Sequence, residues 1–150
     1  MKCINTKCDN KKNIKAKNIK YDYSTKCGIP QCFITAKEYT CPKCLNDVVD
    51  LGEEKEINEA IASVIVRAVT LTRPIIKYVR LHFFNESTFQ FAKRIKINPK
   101  AYDDIESFKQ PLPDSIGVKV KEQLELYFMK KKLGPVTIQV GNKKTKLNYD

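Results

Sequence analysis

The first third of the chain holds every cysteine. Six cysteines lie between residues 3 and 44, and none follows. They form three close pairs, which are Cys3 with Cys8, Cys27 with Cys32, and Cys41 with Cys44. A thiolate is a strong ligand for Zn²⁺, and two such pairs can supply the four sulfur ligands of a tetrahedral structural site. The spacing of the cysteines therefore indicates a metal site in the N-terminal part of the chain.

The outer two pairs are the better set of ligands. Turn-forming residues accompany both, in "CDN" and in "CPKCLND", and such turns let two thiolates converge on one ion. We expect a structural Zn²⁺ bound by Cys3, Cys8, Cys41 and Cys44. A catalytic zinc usually keeps an open position beside histidine or carboxylate ligands, whereas the single histidine, His82, lies far outside the cluster. A disulfide framework is the alternative, and the opening "MKCINTKC", which lacks the apolar region of an export signal, argues against it.

Cys27 and Cys32 are placed differently. They flank "GIPQ" between two β-like runs, "IKYDYSTK" and "CFITAKEYT". This arrangement is typical of a hairpin that carries two cross-strand cysteines. Two interpretations stay open for the pair: buried thiols, which the pattern favours, or further metal ligands.

Composition places the chain among globular proteins. Its 150 residues are 42% hydrophobic and 30% charged, and it has no run of about 18 apolar residues, the length that a membrane-spanning helix needs. We expect a cytoplasmic protein without a membrane partner. The chain has one histidine, no glycine-rich phosphate loop and no Ser/His/Asp or paired-acid motif, so we do not expect an enzyme.

The charge is strongly positive. Lys and Arg number 28 against 17 acidic residues, which gives a formal net charge of +11. Such an excess attracts phosphates over roughly a Debye length, so nucleic acid is a natural partner. The alternative is that part of the positive charge reflects a general bias in amino-acid composition and not a binding partner, since Lys, Asn and Ile are all abundant in this chain.

Beyond residue 50 the apolar pattern becomes helical. From Glu53 to about Thr72, apolar residues recur every three or four positions, and acidic residues occupy the first turn, where the helix dipole favours them. We expect a linking helix here. The run "SVIVRAVTLT" is rich in β-branched residues, so a strand is the alternative. Val66 and Val69 widen the apolar face, which suggests that part of it meets another subunit.

Three short helices are predicted next. Pro74 begins the first, Ser87 caps the second, and Asn98 with Pro99 starts the third. Their inward apolar residues are, in chain order, Ile75, Ile76, Val79, Phe83, Phe91, Ala92, Ile95, Tyr102 and Ile105. Because the connections are only a few residues long, the second and third helices are expected to form a helix-turn-helix arrangement.

A fourth helix and a β-hairpin complete the pattern. The helix is expected to start at Asp114 or Ser115 and to carry Lys130 to Lys132 in its last turn. Its apolar stripe is Ile116, Val120, Leu124, Tyr127 and Phe128. The tail alternates on either side of a turn at Gly141, which predicts a basic hairpin that could extend a sheet, mediate dimerisation or touch DNA.

Together these elements predict an α+β fold. A small N-terminal zinc-bound β-hairpin domain is followed by an all-α helix-turn-helix domain with a short C-terminal β-hairpin tail. The expected divisions are a zinc-binding domain at 1-50, a linking helix at 51-72, the helix-turn-helix domain at 73-133 and the tail at 134-150.

This order of parts resembles the MqsA-like antitoxins, whose zinc finger is of the YgiT type. The shared features are the MKC and CPKC cysteine pairs, a hairpin between them, and a linking helix before a helix-turn-helix. The segment "ESTFQFAKRIKINPKAYDDIESFKQPLP" is similar to a lambda-repressor-like (Xre-type) domain. The positions that stand near that family's pattern are Ser87, Phe91, Ala92, Ile97, Glu106, Lys109 and Pro113. The resemblance covers roughly residues 1 to 132.

The resemblance implies a function. The family's members are antitoxins of type II toxin-antitoxin pairs: the zinc domain contacts the toxin, and the dimeric C-terminal domain binds operator DNA and represses its own operon. By position, Lys100 and Asp104 would read bases and Thr88 would contact a phosphate. The DNA-binding residues expected in this way, with their neighbours, are Thr88, Lys93, Lys100, Asp103, Asp104 and Lys109. The expected protein is a zinc-dependent transcription regulator that binds double-stranded operator DNA as a homodimer, with a toxin as its further partner.

The third helix also supports an alternative. Asp104 stands where the family usually has an arginine, and Asp103 adds a second carboxylate. Carboxylates repel phosphates, although they can accept a hydrogen bond from the amino group of cytosine. In addition, Thr88 replaces a glutamine, and Phe108 replaces the glycine that closes the third helix. The alternative is a protein-binding or inhibitory module whose helix-turn-helix no longer reads specific DNA.

Overall fold

A five-stranded antiparallel sheet is built around one central strand. The computed structural model of the protein describes residues 1–130, 137–141 and 143–146. The strands are β1 (Ala16–Asp22), β2 (Cys32–Thr40), β3 (Asp47–Asp50), β4 (Thr137–Val140) and β5 (Lys143–Lys146). β2 pairs with β1 along one side, and on its other side with β4 at residues 32–34 and β3 at residues 37–40. β5 pairs with β4 at the far side.

The alternation of side chains along β2 decides which face of the sheet is covered. Ile34 and Ala36 are buried, whereas Thr35 and Lys37, which alternate with them, are exposed. Successive side chains of a strand point to opposite faces, so one face packs into the core and the other meets solvent. Ile138 of β4 pairs with Ile34 and is also buried, so β4 extends the covered face.

In the part of the chain that the structure describes, six helices accompany the sheet, which confirms the predicted combination of α and β structure at this coarse level. They are α1 (Ser24–Cys27), α2 (Glu54–Ala68), α3 (Arg73–Tyr78), α4 (Thr88–Arg94), α5 (Pro99–Glu106) and α6 (Asp114–Phe128). A π-helical segment, Val79–Phe84, continues α3. Among the described helices, none is long and apolar enough to cross a membrane. The division of the chain into domains stays a prediction.

The predicted linking helix is α2, and it lies in the middle of the core. Every residue from 57 to 65 is buried, and α2 packs against α6, the π-helical segment and β4. The strand alternative is wrong for residues 63–68, which are helical. The expected end at Thr72 is also wrong, because Val69 already has extended backbone, as β-branched residues favour.

Two polar side chains inside this core bond to each other and to the π-helical segment. The Tyr78 hydroxyl donates to Asn58 Oδ1 at 2.5 Å, and Asn58 Nδ2 donates to the carbonyl of His82 at 2.9 Å. A π-helical turn displaces backbone groups from the regular α-helical pattern. Asn58 therefore satisfies one carbonyl of the segment from the neighbouring helix.

The caps of α4 and α5 are confirmed. Ser87 accepts a hydrogen bond from the backbone of Gln90, whose side chain bonds back to Ser87 in a capping box. Asn98 accepts from the backbone of Lys100 and Ala101, and Pro99 occupies the first position of α5. The predicted inward residues of these two helices, Phe91, Ala92, Ile95, Tyr102 and Ile105, are all buried.

The C-terminal elements differ in part from the predicted ones. α6 begins at Asp114, as predicted, but it ends at Phe128, so Lys130 follows the helix instead of lying in its last turn. Lys131, Lys132 and the predicted tail residues at 134–136, 142 and 147–150 lie outside the described residues. Of the three roles left open for the hairpin, extension of a sheet is the one observed, since β4 pairs with β2.

Candidate functional site

Two turns bring the outer cysteine pairs together. The N-terminal turn is closed by the Cys8 N–H, which donates to the Asn5 carbonyl at 2.9 Å. The second turn lies between β2 and β3, where the Cys41 N–H donates to the carbonyl of Asn46 at 3.0 Å. Lys43 in the second turn forms an ion pair with Asp9 beside the first. The two turns therefore face each other at one end of the sheet.

The four sulfur atoms are spaced as metal ligands. The Sγ atoms of Cys3, Cys8, Cys41 and Cys44 all lie within 4.8 Å of one another. Cys3 Sγ is 3.5 Å from Cys44 Sγ, and Cys8 Sγ is 3.8 Å from Cys41 Sγ. A tetrahedral site with Zn–S bonds of about 2.3 Å has sulfur–sulfur distances of about 3.8 Å. The predicted group of four could therefore hold a metal ion, and its donor set fits Zn²⁺.

Hydrogen bonds to sulfur make one cysteine of the group the most acidic. The backbone N–H of Cys44 and the side chain of Asn10 lower the pKa of Cys41 to about 6. Asn10 Nδ2 lies 3.3 Å from Cys41 Sγ. The backbone N–H of Asn5 also favours the Cys3 thiolate, but burial and the neighbouring sulfur atoms raise the pKa of Cys3 to about 12. Neighbouring thiolates repel one another, so crowded thiols resist joint ionisation. A divalent cation bound between them offsets this repulsion.

Cys27 and Cys32 lie outside this group. The predicted cross-strand arrangement is wrong, because Cys27 ends the short helix α1 and only Cys32 belongs to a strand. Both side chains are fully buried, as the favoured interpretation of buried thiols required. The interaction between the two neighbouring thiols lowers the pKa of Cys27, and the same interaction together with burial raises the pKa of Cys32.

The residues predicted to bind DNA lie on or beside α4 and α5, which are joined by residues 95–98. Four of the six side chains are exposed, and Thr88 and Asp104 are half-buried. The exposed ones are Lys93, Lys100, Asp103 and Lys109. Lys100 and Asp104 are four residues apart on α5 and so lie on one face of it. The structure thus places Lys100 and Asp104 on one face of α5, with Lys93 on α4 and Lys109 beyond the end of α5.

Sequence reasoning missed the residue that holds the end of α5. Arg73 Nε donates to the carbonyl of Ile105, and a terminal nitrogen of the same guanidinium donates to the carbonyl of Gln110, both at 2.8 Å. Phe108, whose φ is +66°, lies under this guanidinium at 4.6 Å and is 73% exposed. Phe108 therefore adopts the left-handed conformation that favours glycine. One carbonyl in the last turn of α5 and one beyond it are therefore satisfied by an arginine from α3.

A second missed contact joins the π-helical segment to α5. Arg80 Nε and a terminal nitrogen donate to the Glu106 carboxylate at 3.0 and 2.5 Å, and Arg80 also donates to the carbonyl of Glu86 at 2.9 Å. Burial alone would raise the pKa of Glu106, but the Arg80 hydrogen bonds hold it below its ordinary value. Glu106 was one of the positions that match the lambda-repressor-like pattern, whereas nothing in the sequence indicated Arg80 as its partner.

Comparisons with known proteins give no relative. The chain matches no protein-family model, and searches of curated proteins and of solved structures found no match. The resemblance to MqsA-like antitoxins therefore stays a prediction.

Proposed function

We propose that the protein is a zinc-dependent transcription regulator that binds operator DNA as a dimer through α4 and α5. The observation that carries the proposal is the fixed position of α5. Its start is capped by Asn98, its end is held by Arg73, and Glu106 is bonded to Arg80. Base reading requires side chains presented from a rigid element. The exposed Lys100 and Asp103 are presented in this way.

The chemistry of these side chains defines what α5 would read. A lysine donates to the O6 and N7 acceptors of guanine, and a carboxylate accepts from the amino group of cytosine. Lys100 and Asp104, one turn apart, would then favour G·C pairs, with discrimination of about 1–3 kcal/mol for each good contact. Thr88, Lys93 and Lys109 would contact phosphates around these bases.

Zn²⁺ would have a structural role. A segment of about 50 residues rarely buries enough apolar surface to fold alone, so a metal would supply much of its stability. The four converging sulfur atoms support this assignment. In the proposed antitoxin role, the zinc-bound segment would also contact and neutralise a toxin. This role is supported by the order of elements in the sequence, in which the cysteine pairs precede a linking helix and a helix-turn-helix.

The second candidate is a protein-binding or inhibitory module. It is favoured by the exposed carboxylate of Asp103 and by two exposed aromatic side chains, Phe89 on α4 and Phe108 just beyond α5. Aromatic residues are enriched at protein interfaces. In this case α5 would bind a partner protein without reading DNA.

Selection of bound duplexes from a random library separates the two candidates. A regulator should enrich a palindromic sequence, and Lys100→Ala or Asp104→Ala should change the base preferred at a defined position. Lys55→Ala, which removes a charge on α2 outside the residues proposed to bind DNA, is the matched control and should leave the preference unchanged. If no sequence is enriched while a protein co-purifies stoichiometrically from the host, the second candidate holds.

A further inference from the structure

The segment of residues 2–20 is the most basic stretch of the described structure. It contains seven lysines, Lys2, Lys7, Lys11, Lys12, Lys15, Lys17 and Lys20, and one acidic residue, Asp9. All seven lysines are exposed. Within the described residues none of the seven forms an ion pair, and Asp9 is already neutralised by Lys43. The segment therefore presents a strong positive potential to solvent.

The helix proposed to read bases has the opposite charge. Pro99–Glu106 holds one lysine, Lys100, against Asp103, Asp104 and Glu106. Neutralised phosphates supply most of the affinity of proteins for DNA. The α5 surface alone cannot supply that affinity, so a DNA-binding role requires cations elsewhere on the molecule.

The fold confines the N-terminal lysines to a closed loop and the strand that follows it. The Ile14 N–H donates to the carbonyl of Met1 at 2.8 Å, which closes the segment into a loop and brings Lys2 near Lys15. The chain then enters β1, and among the described strands β1 pairs with β2 alone. Alternate residues of extended backbone are about 7 Å apart, so Lys15, which directly precedes β1, and Lys17 within it can reach successive phosphates of one DNA strand.

The composition of the segment favours DNA over a protein or a membrane. Residues 1–20 include neither arginine nor aromatic residues, the types enriched at protein interfaces, where lysine is depleted. The described backbone of residues 1–23 contains no helix, so it lacks the amphipathic helix that binds a membrane surface. Lysine is a hydrated point charge that suits phosphate contacts without sequence reading.

We propose that the lysine segment, residues 2–20, is a second DNA-contacting surface that binds the phosphate backbone and supplies most of the salt-dependent affinity. This deepens the proposed function by naming a further contact with the same partner. It is tested on duplex DNA of random sequence, so its result does not depend on whether α5 recognises an operator.

The test neutralises three lysines and measures the salt dependence of binding. The variant carries Lys11→Gln, Lys12→Gln and Lys15→Gln; Lys17 is spared because it lies opposite Glu38 in the β1–β2 ladder. Each lost phosphate contact lowers the slope of log K against log salt by about 0.9 for duplex DNA. The slope should therefore fall by about 2 to 3 in the variant. The control carries Lys55→Gln, Lys119→Gln and Lys121→Gln on α2 and α6, which removes the same charge and should keep the wild-type slope.

Two results would overturn the proposal. One is a slope that falls equally in the variant and the control, since only net charge would then matter. The other is a variant that keeps its slope on DNA but loses binding to poly-glutamate, which would assign the surface to an acidic protein. Bound metal is measured in every variant, and equal metal content shows that the cysteine cluster is intact. If no operator sequence is selected but the slope of the variant is still reduced, the proposed role as a regulator is rejected. The proposal that residues 2–20 contact DNA is then retained.

Discussion

Arg80 and Glu106 form an ion pair that is almost completely removed from solvent. The side chains are 8% and 12% exposed, and two hydrogen bonds join them. An unpaired charge at a buried position destabilises the folded protein far more than an exposed one, because it loses its hydration without gaining an opposite charge. The pair ties α5 to the π-helical segment, and it fixes the helix on which the proposed base contacts lie.

Removal of one partner should therefore be strongly destabilising. We expect Arg80→Ala to lower the free energy of unfolding by about 3–5 kcal/mol, measured by urea denaturation. The matched control is Lys26→Ala, which breaks the exposed Lys26–Glu54 pair at 3.3 Å and should cost less than about 1 kcal/mol. Equal losses in the two variants would show that the Arg80–Glu106 pair contributes no more than a surface contact.

The same pair should make stability depend on acid pH. The pKa of Glu106 is lowered in the folded protein, so the carboxylate contributes stability that is complete above its unfolded pKa and is lost as pH falls through the folded pKa. Glu106→Gln should consequently be less stable than wild type near neutral pH and should lose less stability on acidification. Urea midpoints from about pH 3 to pH 7 test this, and parallel curves for the two proteins would contradict it.

Phe108 offers a test of backbone strain. Its φ of +66° is unfavourable for a residue with a Cβ by about 1–2 kcal/mol. Phe108→Gly relieves this strain and loses the contact with Arg73, whereas Phe108→Ala loses the contact alone. We expect the glycine variant to be more stable than the alanine variant by about 1 kcal/mol in urea denaturation. Ala101→Gly inside α5 is the control and should instead destabilise by about 1 kcal/mol.

The group of four cysteines leads to a prediction for the metal content of variants with one cysteine replaced. The protein should bind one zinc ion per chain, and Cys44→Ser should reduce that stoichiometry, as measured by elemental analysis. Cys27→Ala should leave it unchanged, since Cys27 lies outside the group of four. Chelation should unfold the N-terminal turns, because their convergence depends on the ion. Zinc bound equally by both variants would reject the assigned ligands.

Asn10 should tune the metal affinity without being a ligand. Its amide donates to Cys41 Sγ, and the loss of such an outer contact typically weakens metal binding by about 10–100-fold. Asn10→Ala should show this loss in competition with a chromophoric chelator at unchanged stoichiometry. Asn18→Ala on β1 provides the control, and its affinity should match wild type.

Local signals explain which parts of the structure could be predicted from the sequence. Ser87, Asn98 and Pro99 set the starts of α4 and α5 because a cap acts within one turn of its helix. The cysteine spacing indicated four ligands, since two short turns suffice to aim each pair. The π-helical segment and the role of Arg73 were not predictable, because both depend on partners from distant parts of the chain. The central position of α2 was missed for the same reason, as an amphipathic pattern does not show how many neighbours cover it.

The pairing of β4 with β2 has a consequence for synthesis. Residues 32–34 of β2 bond to residues 138–140, so the sheet that follows the N-terminal turns is completed only after all the helices have left the ribosome. Until then β2 keeps an open edge beside Ile34, and open apolar edges recruit other chains. A nascent or truncated chain that lacks β4 would therefore carry an aggregation-prone strand, and metal bound at the turns by the other end of β2 would not cover this edge.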